Sequence, residues 1–400
     1  MDQSRIAALR TEVADWAGVP PADVRIVRSP YRVCPLGAHV DHQLGEVTGM
    51  ALDHALLFGF APREDAGVRL RSHNYPGVIE FSLQEHRERP LGDWGDYARG
   101  AVYALRRRFE LHTGLNGIVD GCEDVGGLSS SAAAGVAYLL ALEAANSLNV
   151  SPEENIELDR IVENEYIGLN NGILDQSVIL LSCKGLLTYV DCQSGRKALY
   201  PCRRAAELRV VILYSGLSRQ LCDTDYNRRV AECEEAAGLL LEAGGRPAAQ
   251  AAKLRHVPPA VFQEFKQALP PPLRRRAEHF FGEQRRVHEG VRLWREGELE
   301  SFGRLVTESG QSSIDNYECG NQYLRTAFRI LRDTSGVLGA RFSGAGFRGC
   351  CIGLLDGEPR AGFGEDVLSR YLAEHPDMKG RASVRVWRPG DGAALATSRS

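Results

Sequence analysis

Apolar residues recur at helical spacing from Ile6 to Trp16, and Pro20-Pro21 ends that element. Val24 to Val27 predicts a short strand, and Gly49 to Phe60 a longer apolar one. Val68 to Ser72 and Val78 to Phe81 alternate as hairpin strands do. A helix is predicted to begin at Trp94 and a strand to cover Leu115 to Asp120. Then comes Asp124-Val-Gly-Gly-Leu-Ser-Ser-Ser-Ala, and Ala132 to Ala145 is rich in alanine and leucine and free of proline. That pattern is a glycine turn feeding an apolar-faced helix. A second helix is expected over Pro152 to Asn164, and Asp175 stands inside another apolar helical run. Leu186 to Val190 and Val210 to Tyr214 predict strands. Asn227 to about Phe302 is mainly helical, with charged faces that read as solvated. Val337 to Phe342 is a strand leading into Ser343-Gly-Ala-Gly-Phe-Arg-Gly-Cys-Cys, a glycine-rich turn between two strands. Gly, Lys, Arg and Pro break the pattern between Asp191 and Glu207, so two domains are expected, 1–200 and 201–400. The tail after Gly390 is expected to be disordered.

Composition narrows the function. A net charge of -4 is too mild for a nucleic-acid or anionic-membrane partner, and no apolar run approaches a membrane span. The start, Met1-Asp-Gln-Ser-Arg, lacks the basic end and apolar core of an export signal, so a cytoplasmic location is expected. The 10 cysteines include no Cys-x-x-Cys pair, and Cys34 and Cys183 sit in apolar runs. They read as reduced, mostly buried thiols.

Two stretches carry candidate chemistry. A glycine turn before a helix offers free amides and the positive end of a dipole, which bind phosphate. The serines add hydroxyls, which suit helix capping or a magnesium ion. The same turn could equally cap a buried helix. No lysine precedes Lys184, so a nucleotide here would rest on backbone amides and hydroxyls. The second stretch, Ser29-Pro-Tyr-Arg-Val-Cys-Pro-Leu-Gly-Ala-His-Val-Asp-His-Gln, gathers Arg32, His39, Asp41 and His42 among turn residues. Metal ligation by His39, Asp41 and His42 is one reading, although their spacing fits no common zinc pattern. An acid in an apolar run, as at Asp175, must be hydrogen-bonded, charge-paired or functional.

Taken in order, these stretches resemble the GHMP kinases. Arg32 to Gly45 is similar to the galactokinase signature, Gly126 to Ala133 to the family's Gly-Leu-Ser-Ser-Ser-Ala loop, and Gly344 to Cys350 to its third motif. Gly172-Ile-Leu-Asp-Gln resembles the galactokinase Gly-Ile-Met-Asp-Gln. Trp94, Tyr97 and Gly100, and Tyr226-Asn-Arg-Arg with Cys233-Glu-Glu-Ala-Ala, match further family runs. Within the superfamily, the stretch from Ser29 to Gln43 and Ala340 to Cys351 are more similar to the galacturonokinases.

The resemblance implies a two-domain fold, an α/β N-terminal domain and an α+β C-terminal domain, with the active site in the cleft between them. It implies transfer of the ATP γ-phosphoryl group to the anomeric hydroxyl of D-galacturonate, with Mg2+. Asp175 would be the catalytic acid residue that accepts or orients the hydroxyl proton, and Arg32 would keep it ionised. Gly126, Gly127, Leu128, Ser129, Ser130, Ser131 and Ala132 would cradle the phosphates, with Trp94 packing beside the adenine pocket. Ser131 and Glu163 would bind magnesium. His39, Asp41, Gly172 and Tyr226 would line the sugar pocket, and the loop from Gly344 to Gly349 would close its floor. Galactokinases carry a glutamate where this chain has Ala38, and a glycine where it has Arg348. The alanine suits a C6 carboxylate better than a hydroxyl; Arg348 could supply positive charge near that carboxylate or face outward from the surface. Alternatives are a galactokinase or a non-catalytic galactose and ATP sensor. The intact Ser129 to Ala132 run, with Asp175 and Arg32, favours the enzyme.

Overall fold

The computed structural model describes residues 3–122, 125–217, 223–246 and 252–396. The first half is built from α1 (Gln3–Ala17), β1 (Arg25–Val33), β2 (Glu46–Pro62), β3 (Gly67–Ser72), β4 (Ile79–Ser82), α2 (Asp96–Leu105) and β5 (Leu115–Asp120). It continues with α3 (Ser130–Ala145), α4 (Pro152–Arg160), α5 (Leu174–Leu181), β6 (Leu186–Asp191) and β7 (Lys197–Pro201). The second half holds β8 (Leu208–Tyr214), α6 (Asp223–Ala243), α7 (Pro259–Phe265), α8 (Pro271–Glu296), α9 (Leu299–Asp315) and α10 (Gln322–Arg332). It closes with β9 (Val337–Phe342), β10 (Cys350–Asp356), α11 (Phe363–Glu374), β11 (Ser383–Trp387) and β12 (Ala394–Leu395). The described strands form two sheets. One has the order β12-β1-β2-β5-β3-β4, with β6 and β7 continuing from the other end of β2; the second has the order β11-β8-β10-β9.

Each sheet has its own core, joined where the halves meet. Phe58, Phe60, Leu70, Val136 and Leu139 lie in the first, and Leu213, Phe280, Phe328 and Tyr371 in the second, all almost inaccessible or nearly so. Helix α3 lies across β1 and β2 and is buried on most sides. Its alanines permit that close approach, and its leucines fill the space left.

Several elements differ from the pattern reading. The first strand runs through Val33, so Arg32 is on a strand rather than a loop. The helix expected over Pro152 to Asn164 is α-helical only to Arg160; Ile161–Ile167 widens to a π-helix and ends at Gly168 in the left-handed conformation. Lys197–Pro201, inside the expected break, pairs with β6. Asp175 is not mid-helix but in the first turn of α5. Cys183 is exposed, because it follows the helix end at Ser182. The tail after Gly390 is ordered through Ala396. The Gly392 and Ala393 amides donate to Ser182 and Ile179 carbonyls at the end of α5, both at 2.7 Å, and Leu395 and Ala394 pair with Val27 and Arg28. Backbone groups hold this segment, so its side chains gave no periodic signal. Among the described residues no helix is long and apolar enough to cross a membrane.

Candidate active site

The phosphate end is made by two glycine loops packed backbone to backbone. Gly127 has φ +90°, and a Cβ there would stand 2.8 Å from the Ser343 carbonyl oxygen. Gly349 also has φ +90°, and a Cβ on it would meet the Gly126 carbonyl at 2.3 Å. No other residue type fits either place without displacing backbone. The Ser343 hydroxyl donates to the Gly127 carbonyl at 2.7 Å, which ties the halves together. Arg348 is half-buried on the same loop, next to Gly349.

The serines do not cap the helix through their side chains. Ser129 sits at the N-cap with φ 58°, and its hydroxyl reaches Asp175 instead. The first intrahelical bond runs from the Ala133 amide to the Ser129 carbonyl at 3.0 Å. The amides of Ser130, Ser131 and Ala132 therefore precede the helical ladder, at the positive end of a helix of 16 residues. This is the geometry that receives an anion.

Arg32 and Asp175 meet beside that loop. Arg32 Nε donates to Asp175 Oδ1 at 2.9 Å, and a terminal guanidinium nitrogen approaches the same oxygen at 2.7 Å. The Arg32 amide donates to the Leu128 carbonyl at 3.2 Å, so strand β1 and the loop fix each other. Burial works against the Arg32 charge, but Asp175 outweighs it and holds the guanidinium above its ordinary pKa. The Arg32 side chain is 3% exposed and that of Asp175 23%, so the carboxyl group is the more accessible of the two and the guanidinium backs it.

The part of the site expected to take the sugar, the sugar end, is formed by side chains. A Cβ on Gly172 would lie 2.6 Å from Asp41 Oδ2, so this glycine makes room for the Asp41 carboxyl. Burial, then Asp175, pushes the Asp41 pKa up to about 6. Tyr226 lies edge-on to His42, and burial with Asp41 and Asp175 raises its hydroxyl pKa well above the usual value. His39, at φ 59°, stacks on Tyr317 with ring centres 4.3 Å apart. Burial, then His279 and Arg341, keeps His39 neutral. His42 Nε2 is 3.2 Å from the Tyr317 hydroxyl, and burial drops its pKa to about 3. Among the described residues no three His, Cys, Asp or Glu side chains converge on a metal position. His39 and His42 are thus ring-packing groups, and the zinc reading has no geometric support.

Residues 96–183 match the GHMP kinases N terminal domain and residues 291–374 the GHMP kinases C terminal domain. The chain is 44% identical to galacturonokinase from Arabidopsis thaliana over 98% of both chains. The chain belongs to the GHMP kinase family. It is also 32% identical to galactokinase from Roseiflexus sp. over 92% of both chains. Its fold superposes on Lactococcus lactis galactokinase complexed with galactose with a TM-score of 0.88, at 30% identity and 98% and 99% coverage. Mevalonate kinase from Methanococcus jannaschii shares the fold, with a TM-score of 0.63 at 16% identity. As a GHMP kinase the protein is a phosphotransferase that uses ATP and a hydroxyl acceptor.

The family motifs do not contain the residues that hold the kinase's sugar end from behind. Glu283 accepts from the Gly37 amide at 2.8 Å, the Ala38 amide at 3.2 Å and the Ser309 hydroxyl at 2.9 Å. His279 Nε2 lies 2.9 Å from the Ala38 carbonyl, and Arg341 donates to the Pro35 carbonyl and to Ser309. Burial alone would raise the Glu283 pKa; Arg286, His279 and Arg341 lower it to about 2. Helix α8 therefore carries a buried polar stripe, Arg276, His279, Glu283 and Arg286, where the sequence reads a solvated charged face. Only their spacing of three or four residues marks that stripe, and solvated faces share it.

Trp94 stands apart from these contacts. Its ring stacks on Tyr75 at 6.3 Å and its Nε1 donates to the Pro76 carbonyl. Glu163 is buried on the π-helix, with the Asn171 amide on Oε2. An oxygen ligand on Glu163 and the Ser131 hydroxyl at the helix start fit a hard cation that keeps most of its waters.

Proposed function

We propose that the kinase converts D-galacturonate and ATP into D-galacturonate 1-phosphate and ADP. Ala38 carries the choice of sugar acid. A glutamate at this position would face a C6 carboxylate with a like charge. At about 4 Å and an effective dielectric near 20, that repulsion is on the order of 4 kcal/mol. Alanine removes it and also removes a partner for a neutral 6-hydroxyl. Behind Ala38 stand Glu283, Arg286 and Arg341, one acid and two guanidinium groups. The overall similarity to the Arabidopsis galacturonokinase supports the same choice.

Asp175 accepts or orients the proton of the anomeric hydroxyl, whose oxygen bonds to the γ-phosphorus as the bond to ADP breaks. Arg32 pairs with Asp175, fixing its orientation, and offsets charge on the transferring group. Asp41, His39, Gly172 and Tyr226 bind and orient the sugar, and the amides after Ser129 hold the phosphates. Ser131 and Glu163 are the residues to hold magnesium, which supplies charge neutralisation at the phosphates. Arg348 adds positive charge beside the loop pair.

A panel of free sugars and sugar acids with Mg-ATP, scored for ADP and for the 1-phosphate, tests this reading. Galacturonate is expected to be used well and galactose poorly. Better turnover of galactose would overturn the substrate while leaving the kinase.

A further inference from the structure

Asp159 is a buried acid to which the proposed function gives no role. It is 0% exposed, and neither carboxyl oxygen has a hydrogen-bond partner. Helix α3 carries a glycine opposite it: a Cβ on Gly135 would lie 2.1 Å from Asp159 Oδ1. Glycine within a helix is unfavourable, and so is a buried carboxyl without partners. The fold bears both costs at one place. Such a group calls for something that supplies hydrogen bonds when present.

The helix geometry shows where that something stands. Helices α3 and α4 run antiparallel: Asn155 donates to Glu143 at 3.1 Å, and one turn later Asp159 meets Gly135, nearer the start of α3. Ser131 lies four residues nearer the start of α3 than Gly135, and Glu163 four residues beyond Asp159 on the π-helix that continues α4. The Asp159 and Gly135 contact therefore lies between the Asn155 and Glu143 contact and the segments that carry Glu163 and Ser131. The charged groups acting on Asp159 are Glu163 and Asp175, both acids. Water bound to a divalent cation is a strong hydrogen-bond donor, and a carboxyl group with neither oxygen hydrogen-bonded is its complement.

We infer that Asp159 is a positioning residue for the metal-nucleotide, accepting hydrogen bonds from waters of the cation's coordination sphere while Glu163 and Ser131 face the ion itself. The inference rests on the magnesium part of the proposed function. Its consequence is that cation affinity in the nucleotide complex depends on an acid four residues before the ligand.

The test measures binding without turnover. Mn2+ is titrated by electron paramagnetic resonance into the full chain with a non-hydrolysable ATP analogue. Asp159→Asn, which keeps the shape, is expected to weaken Mn2+ at least tenfold and to leave metal-free analogue affinity unchanged. Its melting temperature without metal is expected to equal or exceed that of the unmodified protein, while the rise on adding Mn2+ and analogue shrinks. Asp159→Ala, compared in the same way, guards against a folding defect peculiar to asparagine. Equal Mn2+ affinity in both variants, or a stability loss of the same size with and without metal, overturns the inference. An unmodified protein that fails to bind Mn2+ with the analogue overturns the magnesium reading instead.

Discussion

The two ends of the site are held together by different means. At the phosphate end, Gly126 and Gly127 meet Ser343, Gly344 and Gly349 through main-chain atoms. At the sugar end, the turn from Pro35 to Ala38 is held by Glu283, His279 and Arg341, side chains that arrive from the second half of the chain. Backbone contacts leave a ligand that every ATP-dependent relative shares, whereas side-chain contacts can be re-aimed for one sugar. The contrast predicts that damage to one end changes the affinity for one substrate.

The largest effect is expected at the junction of the ends. Asp175→Asn removes the proton acceptor and is expected to lower kcat by about 10²–10⁴-fold, a general-base magnitude. Affinity for an ATP analogue, measured by calorimetry, is expected to hold. Near-normal turnover would remove Asp175 from the chemistry. Next comes Glu283→Ala. It strands Arg286 and Arg341 and is expected to cost about 3–5 kcal/mol in urea unfolding. In the surviving folded fraction it is expected to raise KM for the sugar and not for Mg-ATP. An equal rise in both would end the distinction between the two regions.

The third prediction concerns Asp41. Its folded pKa near 6 lies above the unfolded value of 3.8, so the native state binds the extra proton. The ionised form is therefore penalised: stability is full below about pH 4 and is lost as pH rises through 6. The side chain is half-buried, so the loss is at most about 3 kcal/mol. Asp41→Asn is expected to raise the melting temperature at pH 8, to match the unmodified protein near pH 4, and to weaken the sugar. A variant no more stable at pH 8 would show that Asp41 carries no such penalty. The smallest effect is at the phosphate end. Gly349→Ala places a side chain in left-handed backbone against Gly126 and is expected to cost at least about 1–2 kcal/mol. It should raise KM for Mg-ATP and spare the sugar.

This contrast also explains what was legible in the sequence. The phosphate end could be read because left-handed backbone and close approach demand glycine, and glycines in a row are visible. Arg32 and Asp175 could be matched to family motifs, but their 2.7–2.9 Å contact is a product of the fold, being 143 residues apart in the chain. His279, Glu283 and Arg341 could not be read, since a polar residue looks the same whether it faces water or a buried loop. Asp159 was hidden for the same reason, near the end of a helix rich in acids. The strand and helix order came through well, while the π-helix and the paired tail did not. The tail depends on backbone partners supplied from elsewhere, and the π-helix on a local change of hydrogen-bond step that no side-chain pattern marks.

The paired tail has a consequence for how the chain is made. Strand β1, near the beginning, presents one edge to β2 and the other to β12. During synthesis the residues of β12 leave the ribosome long after β1 to β7 have been exposed. Until then the outer edge of β1 is bare, with apolar Ile26 and Val27 beside unpaired amides, the kind of edge that recruits foreign strands. The last few described residues therefore act as a late-arriving cover, and a fusion or deletion there would show first as poor recovery of folded protein, before any change in catalysis.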